Sequence, residues 1–236
     1  MNLEKNQLLA ALPEETFRRW IPHLEPMQMA PGSVLYEPKE ASRHVYFPAT
    51  ATVSLLYVLE SGASAEVAVV GCEGMIGMGV VMGGLTGNRA LVQNGGEGFR
   101  MRSETLAAEI ERSSAVLHLL LRYLQALLTQ TAQAAVCMRF HPIEQQLCRW
   151  LLLCLDRVPG TEISMTQQMI ADMLAIRRER VTQAALALQD ADLIRYLRGR
   201  ITVLDRSALE ARACECYAMI KKEYRRLLPR RPRGAA

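Results

Sequence analysis

Residues 163–204, ISMTQQMIADMLAIRRERVTQAALALQDADLIRYLRGRITVL, constrain this chain more than any other stretch. Met169, Ile170, Met173 and Leu174 recur at helical spacing behind Ser164 and Thr166, two candidate N-caps. Leu174-Ala175-Ile176 breaks that period. Arg177-Arg178-Glu179-Arg180 then opens a second helix with Val181, Ala184, Ala185 and Leu188 on its apolar face. Residues 193–196 and 201–204 read as short strands, and Arg198-Gly199-Arg200 supplies the turn between them. Two short helices, a tight turn and a hairpin spell a winged helix-turn-helix. In that motif the start of the second helix enters the major groove and the hairpin meets the phosphate backbone. Here three arginines and a glutamate stand at that start, with Gln183 a turn further on. Arg bonds guanine edges bidentately, Glu accepts from cytosine, and Gln pairs with adenine. A solvated face on a core helix would also be charged, but it would not gather its charges at the helix start beside an Arg-tipped hairpin. The candidate DNA-facing set is Thr166, Gln167, Gln168, Arg177, Arg178, Glu179, Arg180, Thr182, Gln183, Arg198 and Arg200.

Charge follows the same division. Residues 1–140 hold 11 Lys/Arg against 13 Asp/Glu, whereas residues 141–236 hold 17 against 11. The basic half is therefore the half with the helix-turn-helix, as an electrostatic footprint for double-stranded DNA requires. A basic tail from Lys221 ends in RRPRGAA, which is expected to be disordered. No apolar run is long enough to span a membrane, and the first residues lack the apolar core of a signal peptide, so a cytoplasmic protein without a membrane partner is expected. The six cysteines, at 72, 137, 148, 154, 214 and 216, have no framework spacing and fit reduced thiols.

Periodicity divides the rest of the chain. Residues 5–27 read as helical, with Leu8, Leu9, Leu12, Phe17, Trp20 and Ile21 on the apolar face. From Pro31 the period changes to two, and short runs at 34–36, 45–47, 53–58, 66–70, 90–93 and 98–102 read as strands of a small barrel or roll. Most of the chain's 15 glycines fall between 71 and 98. A short helix is expected from Ser103, then a long one over 113–139. Leu117, Leu120, Leu121, Leu124, Leu127, Leu128 and Thr131 mark the long helix at three- and four-residue steps. Such a helix runs roughly 40 Å, longer than a compact domain needs, and its stripe is read as a homodimer seam. Phe140-His141-Pro142 ends it as a boundary and hinge. The expected division is a sensor roll over 1–112, a dimerisation helix and hinge over 113–141, and a DNA-binding domain over 142–236.

This order of an α+β chain, a β-roll, a long leucine helix, a hinge and a C-terminal winged helix, resembles the Crp/Fnr superfamily of bacterial transcription regulators. Ile176-Arg177-Arg178-Glu179-Arg180-Val181 is similar to the family's recognition-helix start. The resemblance implies base contacts from Arg178 and Glu179. It also implies a cyclic-nucleotide-binding-like, cupin-like roll as the sensor, a homodimer, allosteric control by a small-molecule effector, and RNA polymerase as a further partner. Ala175 stands where the family turn usually has Gly, Arg177 replaces a common Ser, and Gln183 falls where many members have another Arg.

The roll departs further. Gly77-Met78 takes the place of the Gly-Glu that holds a cyclic nucleotide's ribose, and Arg89-Ala90 keeps the phosphate-binding Arg but loses the following hydroxyl. Methionine cannot accept the hydrogen bonds of a carboxylate, so cAMP is not expected as the effector; Glu73 is the nearby alternative acceptor. The candidate effector set is Glu73, Gly77, Met78, Arg89 and Ala90. No cofactor and no metal are expected. The cysteines do not match common iron–sulfur spacings, and His23, His44, His118 and His141 show no ligand spacing. Cys214-Glu215-Cys216 invites a metal reading, but two residues apart on a helix its thiols point to nearly opposite sides, which favours packing or an interface over ligation. A metal-dependent cupin enzyme fails on ligand count, since His44 is the only histidine in the strand region, and no nucleophile elbow or phosphate loop appears. The competing reading is a small-molecule-binding protein whose winged helix contacts proteins rather than DNA.

Overall fold

The computed structural model describes residues 2–228 apart from Ala41, Met82 and Gly84, so the RRPRGAA ending lies outside the described residues. The first 29 residues are not one helix. Asn6 caps α1 (Gln7–Ala10), with its side-chain oxygen accepting from the Leu9 amide at 3.0 Å, and Pro13 opens α2 (Glu14–Trp20). After a 3-10 turn containing Pro22 the chain becomes a strand, β1 (Glu25–Met29). Three prolines in fourteen residues prevent a continuous helix. Leu8, Leu9, Leu12, Phe17 and Trp20 are buried as expected, while Ile21 is exposed. Asn6 is itself fully buried and donates to the Pro48 and Gly74 carbonyls at 2.8 Å each, tying these helices to the roll.

The roll consists of two antiparallel sheets. β2 (Val34–Tyr36), β6 (Arg89–Asn94), β4 (Thr52–Val58) and β5 (Ser64–Val70) form one, in that order. β1, β7 (Gly96–Arg102) and β3 (His44–Pro48) form the other. Val45, Phe47, Val53, Val70, Val92 and Phe99 fill the space between them, all at 2% exposure or less. α3 (Ser103–Arg112) leads into α4 (Ser114–Phe140), within one residue of the range read from the leucine pattern. His141 is extended, and Pro142 precedes α5 (Ile143–Leu155). The C-terminal part follows: β8 (Glu162–Ser164), α6 (Gln167–Leu174), α7 (Arg178–Asp190), β9 (Ile194–Leu197), β10 (Arg200–Val203), α8 (Arg206–Arg212) and α9 (Glu215–Leu227). No helix among the described residues is long and apolar enough to cross a membrane.

The C-terminal part does not hang from the roll by a bare linker. Trp150 and Arg157, on α5 and just beyond it, reach into the roll. Trp150 Nε1 donates to Glu66 at 3.0 Å, and Arg157 Nε donates to Glu73 at 2.7 Å. Arg157 also donates to Gln130 of α4 at 3.2 Å, whose amide in turn donates to the Val69 carbonyl at 3.0 Å. Gly71 and Gly74 permit this docking. A Cβ at Gly71 would lie 2.8 Å from the Arg157 side chain, and one at Gly74 would lie 2.4 Å from the Tyr123 ring.

Glu66 is the exposed flank of no strand: it is buried on β5 beneath Trp150, and burial raises its carboxyl from 4.5 to about 7. The folded protein therefore holds a proton that the unfolded chain releases. Between about pH 4.5 and 7 the folded state binds more protons, so stability falls as pH rises through that window. We expect Glu66→Gln to be progressively more stable than the natural protein as pH rises from 5 to 8, by about 2–3 kcal/mol at the upper end. Urea midpoints across that range measure it, and parallel profiles for the two proteins would refute the assignment.

Candidate nucleic-acid interface

Thr166 caps α6, accepting from the Met169 amide at 3.2 Å, whereas Ser164, the other cap expected, lies in β8 opposite Arg200. Ile170, Ala171, Met173 and Leu174 are buried. α6 ends on Ala175 in the left-handed conformation, φ 53° and ψ 43°, with the Ile176 amide donating back to the Ala171 carbonyl at 3.0 Å. This turn sets the angle to α7, and it explains why a glycine is usual at this position.

α7 begins at Arg178, with Arg177 as its extended N-cap residue. Val181, Ala184, Ala185 and Leu188 are its buried face. Arg177, Arg178, Glu179, Arg180 and Gln183 are all exposed, on the first turn and a half of the helix. Not every member of the expected set is free. Thr182 is half-buried and donates to Gln167 at 2.9 Å, which locks α7 onto α6. Gln168 is exposed and donates to Asp172 at 2.8 Å.

The hairpin turn uses Arg198 at φ 49° and Gly199 at φ 76°, a two-residue loop with both central residues left-handed. Arg200 therefore stands in β10, the central strand, with Glu162 3.5 Å away across an exposed surface, while Arg198 sits at the tip. The hairpin is fixed to the helix pair. The Tyr196 hydroxyl donates to the Met165 carbonyl at 2.7 Å, the Met165 amide donates to the Gly199 carbonyl at 2.7 Å, and Gln189 accepts from the Tyr196 amide at 2.7 Å. Between helix and hairpin lies a groove of about 280 Å³ lined by Gln167, Arg178, Thr182, Tyr196 and Arg198, among others. Arg178 of α7 and Arg198 at the hairpin tip thus border one groove.

The residues expected at an effector site have separate surroundings. Glu73 accepts from Arg157 and from the Gly71 amide, at the seam with α5. It borders a cavity of about 540 Å³ between the roll, α5 and α9 that Arg157, Lys221 and Arg225 also line. Arg89 donates to Glu37 at 2.8 Å. Gly77 is left-handed, with φ 100°, and Met78 and Ala90 are buried. Sequence reasoning missed the Glu73–Arg157 partnership because 84 residues separate the two.

The leucine stripe of α4 divides. Leu120 is 1% exposed and belongs to the chain's own core, and Leu124 and Leu127 pack against that core. Leu117, Leu121, Leu124, Leu128, Thr131 and Ala135 follow steps of four and three and are half-buried or exposed. At 100° per residue this outer stripe lies roughly 130° around the helix from the centre of the buried face formed by Val116, Leu119, Tyr123, Ala126, Gln130 and Ala134. α9 packs along a further face of α4, antiparallel to it: the α9 start meets Cys137 and Leu227 borders Ala115 and Leu121.

Residues 145–212 match the Crp-like helix-turn-helix domain family. Among solved structures, a putative crp/fnr-family transcriptional regulator from Eubacterium rectale aligns with TM-score 0.69 at 14% identity, over 89% of this chain and 98% of its own. A CRP-family transcriptional regulator from Thermus thermophilus aligns with TM-score 0.65 at 19% identity, over 79% and 96%. The c-di-GMP-responsive global regulator CLP of Xanthomonas campestris aligns with TM-score 0.63 at 15% identity, over 82% and 100%. The search of curated proteins gives no match.

Ala175→Gly tests the turn. Glycine adopts φ near +53° without the Cβ clash, so the variant should be more stable by about 1 kcal/mol, read from denaturant midpoints. A loss of stability would mean that the left-handed turn is absent. Residues 145–212 thus form a Crp-like helix-turn-helix domain, and the chain as a whole shares its fold with these Crp/Fnr-family structures.

Proposed function

We propose that this protein is a homodimeric, sequence-specific DNA-binding transcription regulator without catalytic activity, working in the cytoplasm. The observation that carries this reading is the set of exposed side chains at the start of α7, Arg177, Arg178, Glu179, Arg180 and Gln183, beside Arg198 on a rigidly docked hairpin. Arg178, Glu179 and Gln183 read base edges; Arg198 and Arg177 contact phosphates. Thr182 and Gln167 hold the helix pair in register, and Gln168 braces α6 through Asp172. The outer stripe of α4 pairs with its copy in a second protomer, spacing two recognition helices for two half-sites.

Arg178→Ala should cost about 1–3 kcal/mol on the specific operator with little loss on random duplex, whereas Arg198→Ala should weaken both and lower the salt slope by about one. Leu128→Glu, at a position 59% exposed, should leave the fold intact and shift the protein to monomer with loss of operator binding. Gel shift on a genomically selected operator and analytical ultracentrifugation measure these. Equal losses on specific and random duplex for Arg178→Ala, or a natural protein monomeric at micromolar concentration, would remove the corresponding assignment.

The effector of this reading is a small molecule other than cAMP. Arg89, the surviving element of the cyclic-nucleotide pattern, is neutralised by Glu37, and Met78 supplies no acceptor. Two missing hydrogen bonds weaken binding by about two to four orders of magnitude. Titration calorimetry with cAMP should therefore show no binding at micromolar concentration; micromolar affinity with a gain in operator binding would overturn this.

A further inference from the structure

The end of α4 and the start of α9 bring together four side chains that sequence separates by up to 79 positions. Cys137 and His141 are one turn apart at the end of α4, and Cys214 and Cys216 lie at the start of α9. Cys214 is the extended N-cap residue of α9, not a helical residue, so its thiol does not point away from that of Cys216. The three Sγ atoms and a ring nitrogen of His141 all lie within 4.8 Å of one another. Cys137 Sγ is 3.4 Å from Cys214 Sγ, and Cys216 Sγ is 3.7 Å from His141 Nδ1.

We propose that Cys137, His141, Cys214 and Cys216 form a Cys3His site for one zinc ion, which clasps the end of α4 to the start of α9. Tetrahedral zinc with its usual bonds to sulfur and nitrogen sets neighbouring ligand atoms ~3.5–3.8 Å apart, close to the spacings present. Four ligands from protein leave no open position, which makes this a structural rather than a catalytic centre. Soft thiolate ligands and a compact single-ion volume favour zinc over magnesium or calcium.

The surroundings complete the site. His141 turns Nδ1 towards the thiols while Nε2 lies 3.2 Å from a Glu215 carboxylate oxygen, the outer carboxylate that commonly orients a ligating histidine. Zinc with three thiolates carries one net negative charge. Arg149 is 5% exposed, its Nε has no hydrogen-bond partner among the described residues, and its charge acts on Cys137 and Cys216. The positive end of α9, a 13-residue helix, also faces the thiols. A buried cation near two of the thiols and a helix start at Cys214 and Cys216 favour an anionic cluster over neutral apolar packing.

The test uses the full-length protein, purified without chelator from zinc-supplemented cells. Mass spectrometry of total metal should find roughly one zinc per chain, and anaerobic replacement by Co2+ should give the intense visible bands of a tetrahedral thiolate site. Cys72→Ser, outside the cluster, should keep the metal. The triple variant Cys137→Ser/Cys214→Ser/Cys216→Ser should lose it by at least about tenfold, and Glu215→Gln should weaken zinc about 10-fold or more in competition with a chromophoric chelator. Natural protein that takes up neither zinc nor Co2+, or that carries a Cys137–Cys214 disulfide in its place under reducing purification, overturns the proposal. So does metal retained in full by the triple variant.

Discussion

The ion pair between Glu73 and Arg157 holds the two halves of this molecule in one arrangement. Arg157 is 5% exposed on its side chain and Glu73 12%, so both charges are paid for by each other and by three further hydrogen bonds, to Leu153, Gln130 and Gly71. Desolvating two charges makes such a pair a poor source of net stability, yet removing one partner strands the other at a cost of about 3–5 kcal/mol. The pair therefore acts less as glue than as a register mark. It admits one placement of α5 on the roll, and α5 carries the helix-turn-helix through its packing on α7 and α8. Glu66 and Trp150 add a second polar contact on the same seam, so sliding α5 would break both at once.

Much of the architecture was legible in the chain because it is locally encoded. α7 announced itself through Val181, Ala184, Ala185 and Leu188, whose spacing has a single helical solution. The limits of α4 follow from Ser113, whose hydroxyl accepts from the Val116 amide, and from Pro142. β1 was illegible for a physical reason: it is an edge strand with Pro26 inside it and only Met29 buried, so it has neither alternation nor β-branched residues. α9 was hidden by the basic residues around it, although Cys216, Tyr217, Ile220, Tyr224 and Leu227 form its buried face.

The site was legible to a different degree in its several parts. Exposure of Arg177–Arg180 follows from helix periodicity alone, because the apolar face claims the other positions. What periodicity cannot say is which polar side chains are spent internally. Thr182, Gln168 and Arg200 have the right chemistry for DNA, but the first two hydrogen-bond within the helix pair and the third lies across from Glu162. Glu73 shows the same limit in the roll. An acidic residue in a Gly-rich turn suits a ribose hydroxyl, and its pairing with Arg157, 84 positions away, has no local signal.

α4 is where these constraints meet. Val116, Leu119, Leu120, Tyr123 and Ala126 belong to the core of the roll, and Gln130 joins the Arg157 network. The stripe from Leu117 to Ala135 is half-buried to exposed, and α9 packs along α4 with Leu227 near Leu121. One straight helix thus touches the sensor-like roll, the C-terminal helix and the surface suited to a second protomer. A packed core is bistable rather than continuously deformable, so a rotation of α4 of a few tens of degrees would exchange buried for exposed positions on two faces together. With the far end of α4 joined to α9 through Cys137 and His141, such a rotation could not be absorbed by fraying at the hinge. It would be passed to α9 and α5, the C-terminal helices that pack on α4, and α5 in turn packs on α7.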